Sequence, residues 1–266
     1  MLGLTGIDVA VVLGIAVVVP LAFGDRWLPW LLTAFASGVA AQAVPGSGVA
    51  MAFGVVWLVV AAAALVGQLR TAGPLLFWGL DGLAAVVTRA YLIIGASWFW
   101  ASCAGWTPVG IREPIVRLTA VHFTYVGVGA MALARAARRA SGSWRGDLAL
   151  AATLVGPPVV ACGFTFDAGV IQVTGAVLLT IGVYATATVE LEQGVRGHRA
   201  LLVVSGLAVW VPMALAIAWA AGQHWDVPAL SIPDMIRTHG ATNALAFVLA
   251  GLVGWRRVGF TEVARR

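Results

Sequence analysis

Two short stretches of this chain carry the side chains best suited to proton transfer. Arg117 to Tyr125 reads RLTAVHFTY, and Asp234 to Asn243 reads DMIRTHGATN. Each holds an arginine and a histidine close together, inside an apolar run long enough to cross a bilayer. A cation at the bilayer centre costs between about 3 and about 10 kcal/mol, depending on the reference state. Such groups therefore face a protein interior or a wet cavity, and by default they mark a function. Histidine gains and loses protons near neutral pH, and a carboxyl group kept neutral by apolar surroundings can donate one. His122 and His239 are thus candidate bases, and Asp81 and Asp234 candidate acids. Asn243 follows His239 at i,i+4 and shares its helix face. Thr119, His122 and Tyr125, spaced by threes, form a similar polar stripe.

Each of these residues also has a structural reading. Asp234 sits in Ser231-Ile-Pro-Asp, a capping box with proline in the first turn, which starts a helix. Arg117 and Arg237 can snorkel to the headgroups, and the histidines can serve as interhelical hydrogen-bonding struts. Asp81 has no cap or loop role in the sequence. It is structural only if Arg89, on the same helix face, or another helix pairs it. Trp57, Trp98, Trp100 and Trp210 lie inside apolar runs, where they can line a pocket. Trp27, Trp30, Trp78, Trp106, Trp144, Trp219, Trp225 and Trp255 lie near the ends of those runs and read as an interfacial belt.

The elements that must position these residues are transmembrane helices. The 266 residues are 61% hydrophobic and only 10% charged, with a mean hydropathy of +0.96, whereas a soluble domain carries about 25% charged residues. Continuous apolar runs exclude the alternation of barrel strands. The expected fold is an all-α, polytopic transmembrane bundle forming a single domain, 1–266. About nine spans are expected, or eight without the short second one: 3–23, 28–44, 48–69, 75–104, 114–136, 148–166, 168–189, 200–221 and 232–255. The first is not read as a cleavable leader, because it lacks a basic start and Asp8 interrupts it.

Orientation follows from the arginines. The loops after spans one, three, five, seven and nine carry Arg26, Arg70, Arg135, Arg138, Arg139, Arg145, Arg196, Arg199, Arg256, Arg257, Arg265 and Arg266, whereas the opposite loops carry only Arg112. The positive-inside rule then predicts an N-out, C-in chain in the bacterial cell membrane. With that topology Arg117 and His122 lie about 5 and about 12 Å below the outer surface, and Arg237, His239 and Asn243 reach similar depths. Asp8, Asp167, Gln172, His224, Asp226, Trp98, Trp100 and Trp106 share that outer half, which predicts a pocket at one membrane level.

Composition also excludes functions. The net charge of +5 comes wholly from arginine, and a chain without lysine cannot form the Schiff bases of retinal or pyridoxal phosphate chemistry. The arginines flank helix ends, so no nucleic-acid partner is expected. Cys103 and Cys162 match no metal or redox spacing. No metal or other cofactor is expected, and the sequence assigns no oligomeric state.

The run WFWASCAGWTPVGIREPIVRLTAVHFTYVG and the closing RTHGATNALAFVLAGLVGWRR resemble the YndJ-like family of bacterial membrane proteins. The family's first motif, approximately L-T-x-x-H-F-H-Y-A-G, is matched at Leu118, Thr119, His122, Phe123, Tyr125 and Gly127, with Thr124 in place of its second histidine. Its second, T-H-G-x-x-N-A-L-x-F, is matched at Thr238, His239, Gly240, Asn243, Ala244, Leu245 and Phe247. Some actinobacterial relatives are regarded as membrane terpene cyclases, so the resemblance implies cyclisation of an isoprenoid chain on a lipophilic, prenylated small molecule. In that reading Asp81 or Asp234 protonates an alkene or epoxide, and Trp98, Trp100, Trp210 and Tyr125 stabilise the cations. His122 or His239 takes the final proton, and Arg117, Arg237 and Asn243 contact substrate. The alternative is a small-solute or proton-coupled transporter, since intramembrane Asp, His and Arg also build proton relays.

Overall fold

The computed structural model describes residues 5–24, 27–72 and 79–259. Arg26, Trp78, Arg265 and Arg266, used above for orientation and the aromatic belt, lie outside the described residues. Those residues form helices without a strand, in nine segments that follow the expected spans. They are α1 (Gly6–Phe23), α2 (Trp27–Gln42), α3 (Gly48–Ala72), α4 (Leu80–Ala104), α5 (Ile115–Ser141), α6 (Trp144–Thr165), α7 (Gly169–Arg196), α8 (Ala200–Gly222) and α9 (232–257). All but α2 and α9 are long and apolar enough to cross a membrane. At 16 residues, α2 reaches only about 24 Å, and α9 is a succession of short α- and π-helical runs. Two boundaries differ from expectation in ways that matter. Helix α4 starts at Leu80, so Asp81 falls in its first turn, where the helix dipole favours a carboxylate. Helix α7 runs on to Arg196 and so takes in Glu190.

The chain divides into two compact units, Met1–Gly129 and Ala130–Arg266. In the first, α4 packs antiparallel on α5: a Cβ on Gly95 would lie 3.2 Å from the Ala120 carbonyl, and one on Gly127 would lie 2.6 Å from Tyr91 Cβ. Helices α1 and α5 run parallel, with Gly14 against Thr124 and Tyr125. Both helices widen into a π turn there, Gly14–Val18 and Tyr125–Ala130. Trp57 is fully buried and packs on Phe99, with ring centres 5.4 Å apart. Trp30, expected in the interfacial belt, is buried against Phe23, because α2 turns that face to α1.

In the second unit α6 and α7 are zipped by glycines seven residues apart on each helix. Gly156 and Gly163 of α6 meet Leu179 and Gln172, and Gly175 and Gly182 of α7 meet Val160 and Thr153. Lipid offers no hydrophobic drive for helix association, so backbone proximity at small residues supplies the packing. The same device joins α7 to α8 at Gly194 and Gly206, and α8 to α9 at Gly251 and Gly254. All three contacts are antiparallel.

A Cβ on Gly175 would lie 2.8 Å from the Val159 carbonyl carbon, whereas one on Gly67 meets nothing within 4 Å. Gly175→Val is therefore expected to lower unfolding stability in detergent by about 1–3 kcal/mol. Gly67→Ala is expected to be neutral or slightly stabilising. Parallel thermal melts of the two variants check this.

Candidate functional site

The first unit is organised around Asp8. Its carboxylate closes the α1 capping box: Oδ2 accepts from the Thr5 amide (3.0 Å) and hydroxyl (2.7 Å). Oδ1 accepts from Arg117 Nη1 at 2.6 Å. Arg117 Nε then donates to Ser102 Oγ at 3.0 Å, so a single guanidinium ties α1, α4 and α5 together. Asp8 is 2% exposed and Arg117 16%. Arg117 therefore turns into the protein to meet a counter-charge, and it does not snorkel. Leaving a hydrogen-bonded ion alone in such a place costs several kcal/mol.

The other first-unit candidates take separate places. Tyr125 is buried, with its hydroxyl donating to the Ala10 carbonyl at 3.2 Å, which makes it a helix strut. His122 is exposed on the flank of α5. Trp100 stands edge-on to Trp106, and Trp98 is half-buried. The α4–α5 register sets Gly95 beside Ala120 and Phe123, close to the level of His122. Asp81 lies fourteen residues before Gly95, about 21 Å along the helix. Asp81 and His122 therefore do not form an acid–base pair within this unit.

In the second unit the candidates gather at a break in α8. Val209 keeps right-handed helical dihedrals (φ −89°, ψ −19°), but the α-helix is interrupted there between Ala200–Ala208 and Trp210–Gly222, three residues before Pro212, whose nitrogen has no proton to donate. Side chains supply donors around the break. Trp210 Nε1 donates to the Gly206 carbonyl (2.9 Å), and the Tyr184 hydroxyl donates to the Trp210 carbonyl (2.6 Å). Tyr184 also stacks on the Trp210 indole at 4.5 Å.

His239 Nδ1 lies 2.7 Å from the Pro212 carbonyl. A carbonyl only accepts, so Nδ1 carries the proton and the Nε2 lone pair is left to act as a base. Asn243 sits beside it, with its amide nitrogen 3.2 Å from Nδ1 and 3.7 Å from Met213 Sδ. Asn243 Oδ1 is buried without a hydrogen-bond partner. With Nδ1 protonated, a half-turn of the amide is needed to set its oxygen and not its nitrogen toward Nδ1–H, and the nitrogen then occupies the buried position that lacks a partner. A tautomerically fixed histidine and an unsatisfied amide thus occupy adjacent positions on α9. The remaining α9 candidates stay at the helix start. Asp234 exchanges hydrogen bonds with Ser231 as a cap, and Arg237 is 78% exposed, 3.8 Å from Asp234.

Sequence reasoning passed over one second-unit group. Glu190 falls one residue beyond the expected span 168–189, yet it is fully buried among Ser205, Trp255 and the Phe247 carbonyl. Trp255 is likewise buried and not part of a belt, because its indole nitrogen is needed by that carboxyl. At the far end of α7, His224 Nε2 donates to the buried Gln172 Oε1 at 2.8 Å. Its Nδ1 is 3.7 Å from Asp167. Among the described residues, no group of three or more His, Cys, Asp or Glu side chains is placed to hold a metal.

The Asp8–Arg117 pair generates a sharp expectation. Asp8→Asn or Arg117→Met alone is expected to lower stability by about 3–5 kcal/mol, because each strands a buried partner. The double variant should lose clearly less than the sum. Denaturation of the four proteins in one detergent completes the cycle.

No solved structure matches the chain. A Bacillus subtilis (strain 168) protein described as the uncharacterized membrane protein YndJ is 27% identical over 174 residues, which is 62% of this chain and 31% of the relative. The chain thus aligns with about a third of that relative's length. The model of YndJ-like proteins matches residues 9–247, a stretch that takes in both histidines, Arg117 and Asn243. This is a membrane protein of the YndJ-like family.

Proposed function

We propose that the chain is an intramembrane enzyme of the bacterial cell membrane that transfers protons on a lipophilic small molecule, with isoprenoid cyclisation as the specific reaction. The observation that carries this reading is His239: Nδ1–H is anchored on the Pro212 carbonyl, Nε2 is left as the base, and the unsatisfied Asn243 amide lies beside it. Cyclisation is an isomerisation, so the proton given at the start must equal the proton taken at the end. One histidine can do both. As imidazolium, its Nε2–H protonates an epoxide oxygen as the C–O bond breaks. As neutral imidazole, it removes a proton from the carbon beside the final cation, and the C–H electrons form the new double bond. Tyr184 and Trp210 present a stacked aromatic pair at the same helix break, the kind of surface that stabilises a passing cation. The reading moves the acid away from Asp234, which is occupied as a cap, and from Asp81 in the first turn of α4.

A second reading, transport of a small solute, is favoured by the irregular helices. The break at Val209 and the π turns of α1, α5 and α9 are the kind of backbone that membrane proteins tolerate only where protein or a cavity satisfies it.

Membranes containing the full chain, incubated with prenylated indole and quinone epoxides, are expected to yield cyclised isomers of unchanged mass. His239→Gln is expected to lower turnover by at least about 100-fold, and Asn243→Ala to raise KM more than it lowers kcat. Asp234→Asn should leave turnover near the native value. Proteoliposomes that accumulate a solute while no substrate is isomerised would decide for transport.

A further inference from the structure

Glu190 lies on α7 in a fully buried setting. Two neighbours engage its carboxyl group. Trp255 Nε1 donates to Oε1 at 2.9 Å, and Ser205 Oγ lies 2.7 Å from Oε2. Neither neighbour is a cation. Gly251 makes room for the cluster: a Cβ there would lie 3.0 Å from Glu190 Oε1 and 2.6 Å from Ser205 Oγ.

The hydrogen count is what gives the cluster meaning. Ser205 Oγ is also 2.8 Å from the Phe247 carbonyl oxygen. A hydroxyl has one proton, yet here it faces two oxygens at hydrogen-bonding distance. With an ionised carboxylate, both of those oxygens are pure acceptors, and one short O···O contact is left without a proton. With a proton on Oε2 the chain closes. Glu190 donates to Ser205, Ser205 donates to Phe247, and Trp255 donates to the carboxyl's other oxygen. Every polar atom then has a partner of the right kind, and no net charge is buried.

We infer that Glu190, Ser205 and the Phe247 carbonyl form a proton-binding site in the second unit, occupied at neutral pH, that joins α7, α8 and α9. The charged residues nearest along the chain are Glu192 and Arg196 on α7, Arg199 before α8, and Arg256 and Arg257 at the end of α9, and α5, which reaches this junction through Leu133, carries the buried Arg135. Glu192 is engaged by Arg145 at 2.8 Å. The carboxyl's partners on α8 and α9 are the neutral Ser205 and Trp255. Release of the proton would leave two oxygens facing one hydroxyl and would loosen the junction of the three helices. The site is separate from His239 and does not depend on the enzymatic reading.

The test is infrared spectroscopy of the purified full chain in lipid, with glutamate carboxyls isotopically labelled. At neutral pH a protonated-carboxyl C=O band that moves with the label is expected, and it should be lost in Glu190→Gln. In Ser205→Ala the band should persist at a shifted frequency, because the hydroxyl acceptor is gone. Glutamine keeps an acceptor and a donor in the acid's places and adds one N–H, so Glu190→Gln is also expected to fold and to melt closer to the native chain than Glu190→Ala does. Absence of the band at neutral pH, its survival in Glu190→Gln, or failure of Glu190→Gln to fold would each overturn the proposal.

Discussion

A polar group inside a bilayer has no water to fall back on, so a partner must come from within the protein. The Asp8–Arg117 pair shows how far that constraint shapes the first unit. Thr5 caps α1 through Asp8, and the second oxygen of the same carboxylate holds a guanidinium from α5. That guanidinium reaches on to α4 through Ser102. The helices must then approach closely enough for these bonds, which is why Gly14, Gly95 and Gly127 stand where any larger residue would collide. The ion pair and the glycines are two sides of a single packing solution.

The second unit meets the same constraint differently. Several of its polar groups are paired with neutral donors and backbone carbonyls. Tyr184 serves Trp210, His239 serves Pro212, and Ser205 reaches Phe247. The π-helical runs of α9 bear on this, since an i→i+5 turn leaves the regular hydrogen-bond ladder out of step and often marks a functional position. His239 and Asn243 lie in such runs, so the polar side chains sit where the backbone itself is least regular.

The helices were legible in the sequence because twenty-residue apolar runs separated by short loops admit few other readings. The partners were harder to read, because periodicity assigns a face but not the neighbour across it. Arg117 and Arg237 have similar local settings, each an arginine shortly before a histidine, yet one is buried and the other exposed. The difference is Asp8, more than a hundred residues away in sequence. Trp255 looked like an interfacial anchor because it sits near the end of an apolar run, whereas its indole nitrogen meets the buried Glu190. Glu190 itself was hidden by a boundary. Ending α7 at residue 189 left it one residue outside the span, although TVELEQG continues the helix without a breaker. The glycines at 156, 163, 175 and 182 were visible as a seven-residue spacing, but only facing backbones give that spacing its meaning.

The two histidines illustrate what separates a reactive group from a polar one. Both lie in similar motifs, and residue type alone makes them equal candidates. A base needs more than a nitrogen: it needs one nitrogen committed, so that the other is reliably unprotonated and aimed. His239 has that commitment in the Pro212 carbonyl, which cannot accept anything but a proton. That commitment joins α9 to α8 at the turn that carries Pro212. His122 lies on the exposed flank of α5, one residue before Phe123, which packs inward on Tyr91. In the proposed reaction the base is His239, held between α9 and α8.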